Sequence, residues 1–334
     1  MSGSNHRRAA AALAFVLATF APATARAQDA AVIRQIESLA VDNAPLYLAP
    51  FTNGIGAALN RGTFFTAKPR GALGFEVGIV AMGAWVPEVD ETFTPVLPMQ
   101  VTYDDRTFED PYGTSAPATP TVSGEGDGVV IQPGTELAAA ALAAGQDPSE
   151  LALRFPSGLD VPFVPFAILQ GAIGLPGGTE VSIRGFPSIE LHEDVGGIGA
   201  LGFGVTHSLS QYFPLPVLNV AAHVSWQSTD VGDYLDAEAL GYGLLASLDA
   251  GPVSIFGAGL REDPDVTIGY TIANPDGNPA LPRDGLRVAV SPDLDSTTRY
   301  TAGATLHLLV LKLSAAWTFG DYETLALKAL VAIN

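Results

Sequence analysis

Between Thr298 and Phe319 polar and apolar residues alternate almost without a break. From Arg299 the odd positions carry Arg299, Thr301, Gly303, Thr305 and His307, and the even ones Tyr300, Ala302, Ala304, Leu306 and Leu308. Side chains of a strand point alternately to its two faces, so this segment has one wet face and one greasy face. A strand with lipid on one side and a polar lumen on the other needs that pattern over about 10 residues. The stretch is too long for one such strand. Length alone splits it into Thr298–Leu308 and Leu309–Phe319, because no Gly or Pro marks a turn.

The chain opens with an export pattern. Arg7 and Arg8 form a basic region, Ala9 to Phe20 an apolar one, and Ala25-Arg26-Ala27 a cleavage site, so residues 1–27 read as a signal peptide and Gln28 as the start of the mature chain. The apolar stretch ends at Pro22, short of the roughly 20 residues that a spanning helix needs. No later segment has about 18 consecutive apolar residues free of charges and turn formers. Spreading hydrophobicity over alternate positions lets a chain of mean hydropathy +0.28 cross the inner membrane without stopping there. Formal charge is −19, and removing the three signal arginines leaves 13 − 35 = −22. Such a polyanion is a poor ligand for nucleic acid phosphates. With no cysteine there is no disulfide framework, thiolate metal site or thiol nucleophile.

Residues 28–62 form an N-terminal segment, with a short helix over Ala30–Ala44 that stops before Pro45 and serves as either a plug or a rim-packed leader. The barrel takes residues 63–334. A weak strand runs through Thr63–Lys68 and a strong one over Gly71–Val86, with Phe75, Val77 and Ile79 outward and Glu76 and Gly78 opposite. Residues 87–162 break the rhythm and read as a long loop insertion with helical islands at Thr135–Ala144 and Pro148–Arg154. From Phe163 strands follow in quick succession, separated by turns such as Pro176-Gly177-Gly178 and Gly251-Pro252. Glu262–Pro282 reads as an acidic excursion. The count is about ten, with up to four more in weak regions such as Leu97–Tyr103 and Gly285–Val290. The fold class is therefore an all-β antiparallel transmembrane barrel of about 10–14 strands. A secreted soluble barrel with its greasy face inside is the alternative; the continuity of the greasy face and the placing of Trp85, Trp226 and Trp317 near strand ends favour lipid.

The alternation puts Glu76, Glu180, Arg184, Glu190, His223, Arg299, His307, Lys312 and Lys328 on inward faces. Buried charges demand partners or water, so these residues either make a salt-bridged filling or line an aqueous passage. Catalysis has weaker footing. His207 and Ser208 are adjacent and point to opposite faces, although His223 or His307 could meet a lumenal Ser across strands. Gly124-Glu125-Gly126-Asp127-Gly128 lacks the Lys of a phosphate loop and the ligand ladder of a calcium loop, and no His cluster has metal-ligand spacing. No metal, cofactor or catalytic residue is expected.

Two neighbouring stretches carry a resemblance: Gly178-Thr179-Glu180 with Arg184, then Gly204-Val205-Thr206-His207-Ser208 with Gln211. The pair resembles an uncharacterised family of exported bacterial proteins, in which a Gly-Thr-Glu-x-x-x-Arg strand precedes a Gly-x-x-His-Ser-x-x-Gln strand. More loosely, a helix followed by a barrel is similar to long-chain fatty-acid transporters. The resemblance implies the outer membrane of a Gram-negative-type bacterium, with outer-membrane lipid and the barrel-assembly machinery as partners, and carries no activity. The leading functional expectation is a narrow or gated passage for small molecules, with hydrophobic ones as one option. The alternatives are a sealed structural or adhesive barrel and an outer-membrane lipid hydrolase.

Overall fold

The computed structural model describes residues 30–192, 196–213, 217–232, 235–272, 286–290 and 296–333. The signal segment and the Asp293–Asp295 cluster lie outside these residues. Ten strands make one closed ring: β1 (Phe75–Trp85), β2 (Phe163–Leu175), β3 (Thr179–His192), β4 (Gly196–Ser208), β5 (Leu218–Val231), β6 (Leu235–Ala250), β7 (Val253–Ile272), β8 (Thr297–Leu308), β9 (Leu311–Phe319) and β10 (Thr324–Ile333). Each pairs antiparallel with its neighbour in sequence. The first and last strands close the ring, from Phe75↔Ile333 to Ala84↔Thr324. Closure leaves no strand edge unpaired, the condition for a sheet in hydrocarbon.

Burial alternates along each wall and decides which solvent the outer face meets. Val77, Ile79, Leu169, Ile183, Leu244 and Ile255 are all more than half exposed, while the inward Gln170, Ser225, Gln227, Ser247 and Thr318 are at most 2% exposed. Apolar outside and polar inside is the reverse of a soluble barrel, and it is the pattern of a transmembrane one. Phe203 stacks on Trp226 at 6.2 Å within the wall, and near one end of it Trp85 stacks on Trp317 at 4.9 Å and touches Phe163 at 4.7 Å. Such girdles mark a bilayer boundary. At the opposite end the connections Pro176–Gly178, Gly251–Pro252 and Leu309–Val310 are short. No helix among the described residues is long and apolar enough to cross a membrane.

Four sequence expectations change. Helix α1 runs Ala30–Leu59, through Pro45 and Pro50, instead of stopping at Ala44. A proline inside a helix costs about 3 kcal/mol, and burial of its neighbours Ala44, Tyr47, Leu48 and Thr52 offsets that. Thr63–Lys68 is irregular rather than a strand. The excursion expected at Glu262 is instead the continuation of β7, whose pairing with β6 runs on through Glu262↔Gly241 to Ile268↔Leu235. The weak strands near Leu97 and Gly285 exist, but outside the ring: Gln100–Tyr103 pairs only with Arg106–Glu109, and Leu286–Val290 lies beyond β7.

The chain divides into two compact units. One comprises the ring with Thr52–Pro87. The other contains Ala30–Phe51, the insertion and the described residues 269–272 and 286–290, and it has its own small core of Val101, Tyr103, Leu137 and Ala141, with Phe108, Tyr112 and Leu151 packed on it. Leu137 and Ala141 come from helix α2 (Thr135–Ala143). Asp104 and Asp105 turn the hairpin with positive φ at both positions, which short polar side chains tolerate. Within this unit Asn43 and Val96 exchange two hydrogen bonds, 3.0 and 2.8 Å, and the Tyr47 hydroxyl donates to the Ser157 carbonyl.

Two outcomes follow. The β8–β9 turn places Leu309 at φ 53° and fully exposed. Leu309→Asn is expected to stabilise the barrel by about 0.5–1 kcal/mol, read as a raised urea midpoint in detergent. In the insertion the Tyr112 hydroxyl donates to the Leu151 carbonyl at 2.6 Å, and burial pushes its pKa up to about 12. A proton held more tightly when folded than at the ordinary value of 10.0 means stability present below pH 10 and lost as pH rises towards 12. Ultraviolet tyrosinate titration should show the insertion loosening in that window.

Candidate functional site

The lumen is filled by the chain's own residues Thr52–Arg70. This segment begins as the last turns of α1, whose C-terminal carbonyls need partners because no further turn follows. Arg184 on β3 supplies them, donating through Nη1 to the Arg61 carbonyl at 2.5 Å and through Nη2 to the Leu59 carbonyl. A cation at a helix C-terminus also complements its dipole. Gly62, at φ 65°, then turns the chain; a β-carbon there would meet Val80 Cγ1 at 2.4 Å.

Below that turn an apolar layer is built on Phe64 and Phe65. They pack with Val80, Met82, Ile168, Leu245, Phe256 and Leu260 from the inward faces of four strands. Edge-to-face contacts join Phe64 and Phe65 to Phe256, at 6.2 and 5.8 Å. Such packing belongs to a protein interior, not to an aqueous channel.

A charged layer lies on each side of the aromatic one. Towards the girdle end, Glu262 of β7 receives Arg61 Nη2 and Arg299 Nε, the latter at 3.3 Å. Arg61 also reaches Thr318 Oγ1 and the Ala57 carbonyl, and Arg299 reaches the Tyr322 carbonyl at 3.1 Å. Towards the short turns, Arg70 pairs with Glu76 of β1 and, at 2.5 Å, with Glu180 of β3, whose Oε2 also accepts from the Arg70 backbone N–H. Lys328 of β10 completes this layer, 2.6 Å from Glu76 and 5.1 Å from the centre of the Phe65 ring. Glu76, Arg184, Glu262 and Lys328 are each 6% exposed or less. A cavity of about 30 Å3 lies among Arg70, Glu180, His307, Lys312 and Lys328.

Hydroxyls stitch the rest of the segment to the wall. Thr305 Oγ1 donates to the Phe65 carbonyl at 3.1 Å, the Ala67 N–H donates to Ser247 Oγ at 3.1 Å, and His223 lies between Thr206 and Thr63 at 2.9 and 3.1 Å. His307 does meet a lumenal serine, Ser254, at 2.9 Å. Ser254 Oγ donates its proton to Asp249 at 2.6 Å, so toward His307 it accepts. This is the reverse of a serine activated by an imidazole base. His207, on the other face of β4, bonds to Thr179 Oγ1 at 2.8 Å and Tyr212 OH at 3.1 Å and, with Gln211, fastens the β4–β5 connection to the β2–β3 turn. Glu190 lies on β3, and its side chain is outside the described residues. Sequence reasoning missed Arg61 and Arg70 because they precede the first strand, and Glu262 because Glu-Asp-Pro-Asp has the composition of a turn.

The matching family model spans residues 6–331. The chain belongs to the family of unknown function DUF6588. In this DUF6588 chain the motif residues Glu180 and Arg184 hold the lumenal segment, and His207 and Gln211 hold a turn. No curated protein matches the chain. Solved structures similar to it include the outer membrane protease OmpT of Escherichia coli, with 9% identity, 82% of this chain and 99% of that one covered, and a TM-score of 0.34. A BenF-like porin of Pseudomonas fluorescens Pf-5 shares 10% identity over 51% and 56% of the two chains at 0.20, and the Yersinia pestis attachment invasion locus protein Ail 7% over 78% and 97% at 0.19. At such scores the likeness says nothing of activity.

Glu262→Ala would leave Arg61 and Arg299 buried without their carboxylate. Breaking a buried pair in this way costs about 3–5 kcal/mol. Denaturant unfolding in detergent should show that loss, while Asp321→Ala, on the exposed surface beside Arg299, should stay within about 0.5 kcal/mol of the parent.

Proposed function

We propose that this DUF6588 chain is a sealed outer-membrane anchor of a Gram-negative-type cell, and that its role is carried by the insertion between β1 and β2 instead of by transport through the lumen. The observation that carries this reading is the filling of the lumen by Thr52–Arg70, in which the cavity beside Arg70 and Lys312 has about 30 Å3. That volume admits a water molecule or two and no organic solute. The filling resembles a folded core, an aromatic layer between two salt-bridged layers, so opening it means exposing buried apolar surface and separating buried ions together. A gated passage for small hydrophobic molecules would require that combined cost at each opening.

The insertion suits an adhesive or scaffolding role. Residues 88–162 hold thirteen carboxylates against two arginines, so an interacting surface would be basic or bridged through cations. Outer-membrane lipid meets the apolar wall, and the barrel-assembly machinery handles the chain before closure.

Purified protein in liposomes is expected to give no steady conductance and no solute-dependent swelling. Replacing residues 97–154 with a short turn should leave that impermeability and the heat-dependent gel mobility of the barrel intact, while cell-surface adhesion to a polylysine-coated support falls. Steady conductance of the intact chain would overturn the sealed-anchor reading in favour of a passage.

A further inference from the structure

The lumenal cavity has unequal charges around it. Arg70, Lys312 and Lys328 line it on the cationic side, and Glu76 and Glu180 on the anionic side. Both glutamates are engaged: Glu76 by Arg70 and Lys328, and Glu180 by Arg70. Lys312 makes no hydrogen bond and no ion pair within 4 Å among the described residues, although it is held on the inward face of β9 opposite His307. Arg70, whose side chain is 7% exposed, leaves its Nε–H without an acceptor. Two cationic donors therefore meet one small cavity with nothing to receive them. With His307 neutral, the lining carries one positive charge in excess.

The hydroxyls around the cavity do not supply the missing acceptor. Thr305 Oγ1 donates to the Phe65 carbonyl, so Ser314, 2.9 Å away, donates to Thr305, and among the described residues neither accepts a hydrogen bond from Lys312 or Arg70. The threaded segment contributes Thr66, which bonds to Ser247 and to the Lys68 N–H. The buried Arg70 Nε–H is costly to leave without a partner, Lys312 is half-buried beside it, and a monovalent anion would answer both the unmet hydrogen bond and the excess charge. A cavity of about 30 Å3 is large enough for water, which needs roughly 10–15 Å3 by the same kind of measure, and a halide is only slightly larger than water. The space suits an ion of one heavy atom.

We propose that the lumen of this barrel binds one halide-sized anion, chloride in practice, between Lys312 and Arg70, and that this ion locks the threaded segment against the wall at the short-turn end. The site is independent of what the insertion does, and it holds whether the barrel is a sealed anchor or a gated passage.

The test is thermal. The temperature at which the folded band converts to the unfolded one on detergent gels is measured in sodium chloride and in sodium gluconate at equal ionic strength. Anything that binds only the folded state raises that temperature, and a rise of about 3 °C or more in chloride is expected for the intact chain. Lys312→Gln should show the same temperature in both salts. Lys68→Gln, which changes an exposed lysine 3.7 Å from Asp249, should keep the chloride effect. Broadening of the chloride NMR line by the intact protein, absent with Lys312→Gln, reads occupancy directly and does not depend on unfolding. Equal temperatures in the two salts for the intact chain would mean that water alone fills the cavity. A chloride effect that survives Lys312→Gln, or vanishes with Lys68→Gln, would mean surface screening. Either result overturns the proposal.

Discussion

Two arginines that precede the first strand organise the whole lumen. Arg61 and Arg70 enter the barrel as parts of a peptide with no regular structure of its own past Leu59, and each finds a carboxylate on the wall. Without those carboxylates the arginines could not be buried, because an unpaired ion in a low-dielectric interior is far more costly than any packing gain there. With them, Phe64 and Phe65 are held between two fixed points and fill the centre. The barrel is thus polar where the wall touches the segment's backbone and ions, and apolar only in one aromatic layer.

The alternation of side chains made the wall legible before any coordinates, because period 2 is a property of the strand backbone itself. It held even through Thr298–Phe319, where the turn at Leu309 has none of the usual turn residues. It failed at Glu262. There the composition Glu-Asp-Pro-Asp outweighed the period, although β7 continues past it with Glu262 inward and Asp263 and Asp265 outward. The helix boundary was misplaced for a related reason: Pro45 and Pro50 are local stop signals, and burial against distant parts of the chain overrode them. The ion pairs themselves were not legible, since Arg61 and Glu262 are 201 residues apart and Lys328 and Glu76 are 252 apart. Alternation shows which face a charge occupies, and only the closed ring shows which charge it meets.

Net charge misleads in the same way. A chain of formal charge −19 reads as a polyanion, yet among the described residues six lysines and arginines line the lumen against three glutamates, with Asp249 at the short-turn mouth. The acidic residues are concentrated in the insertion and on outer surfaces. Exterior and interior therefore have opposite electrostatic character, separated by a wall one strand thick.

The order of the chain adds a constraint on assembly. The lumenal segment is synthesised before every strand, and β10, whose Lys328 reaches Glu76 beside that segment, is synthesised last. The seam between β1 and β10 is therefore fastened twice, by its own ladder and by the filling behind it, where Lys328 from one strand and Arg70 from the threaded segment share Glu76 of the other.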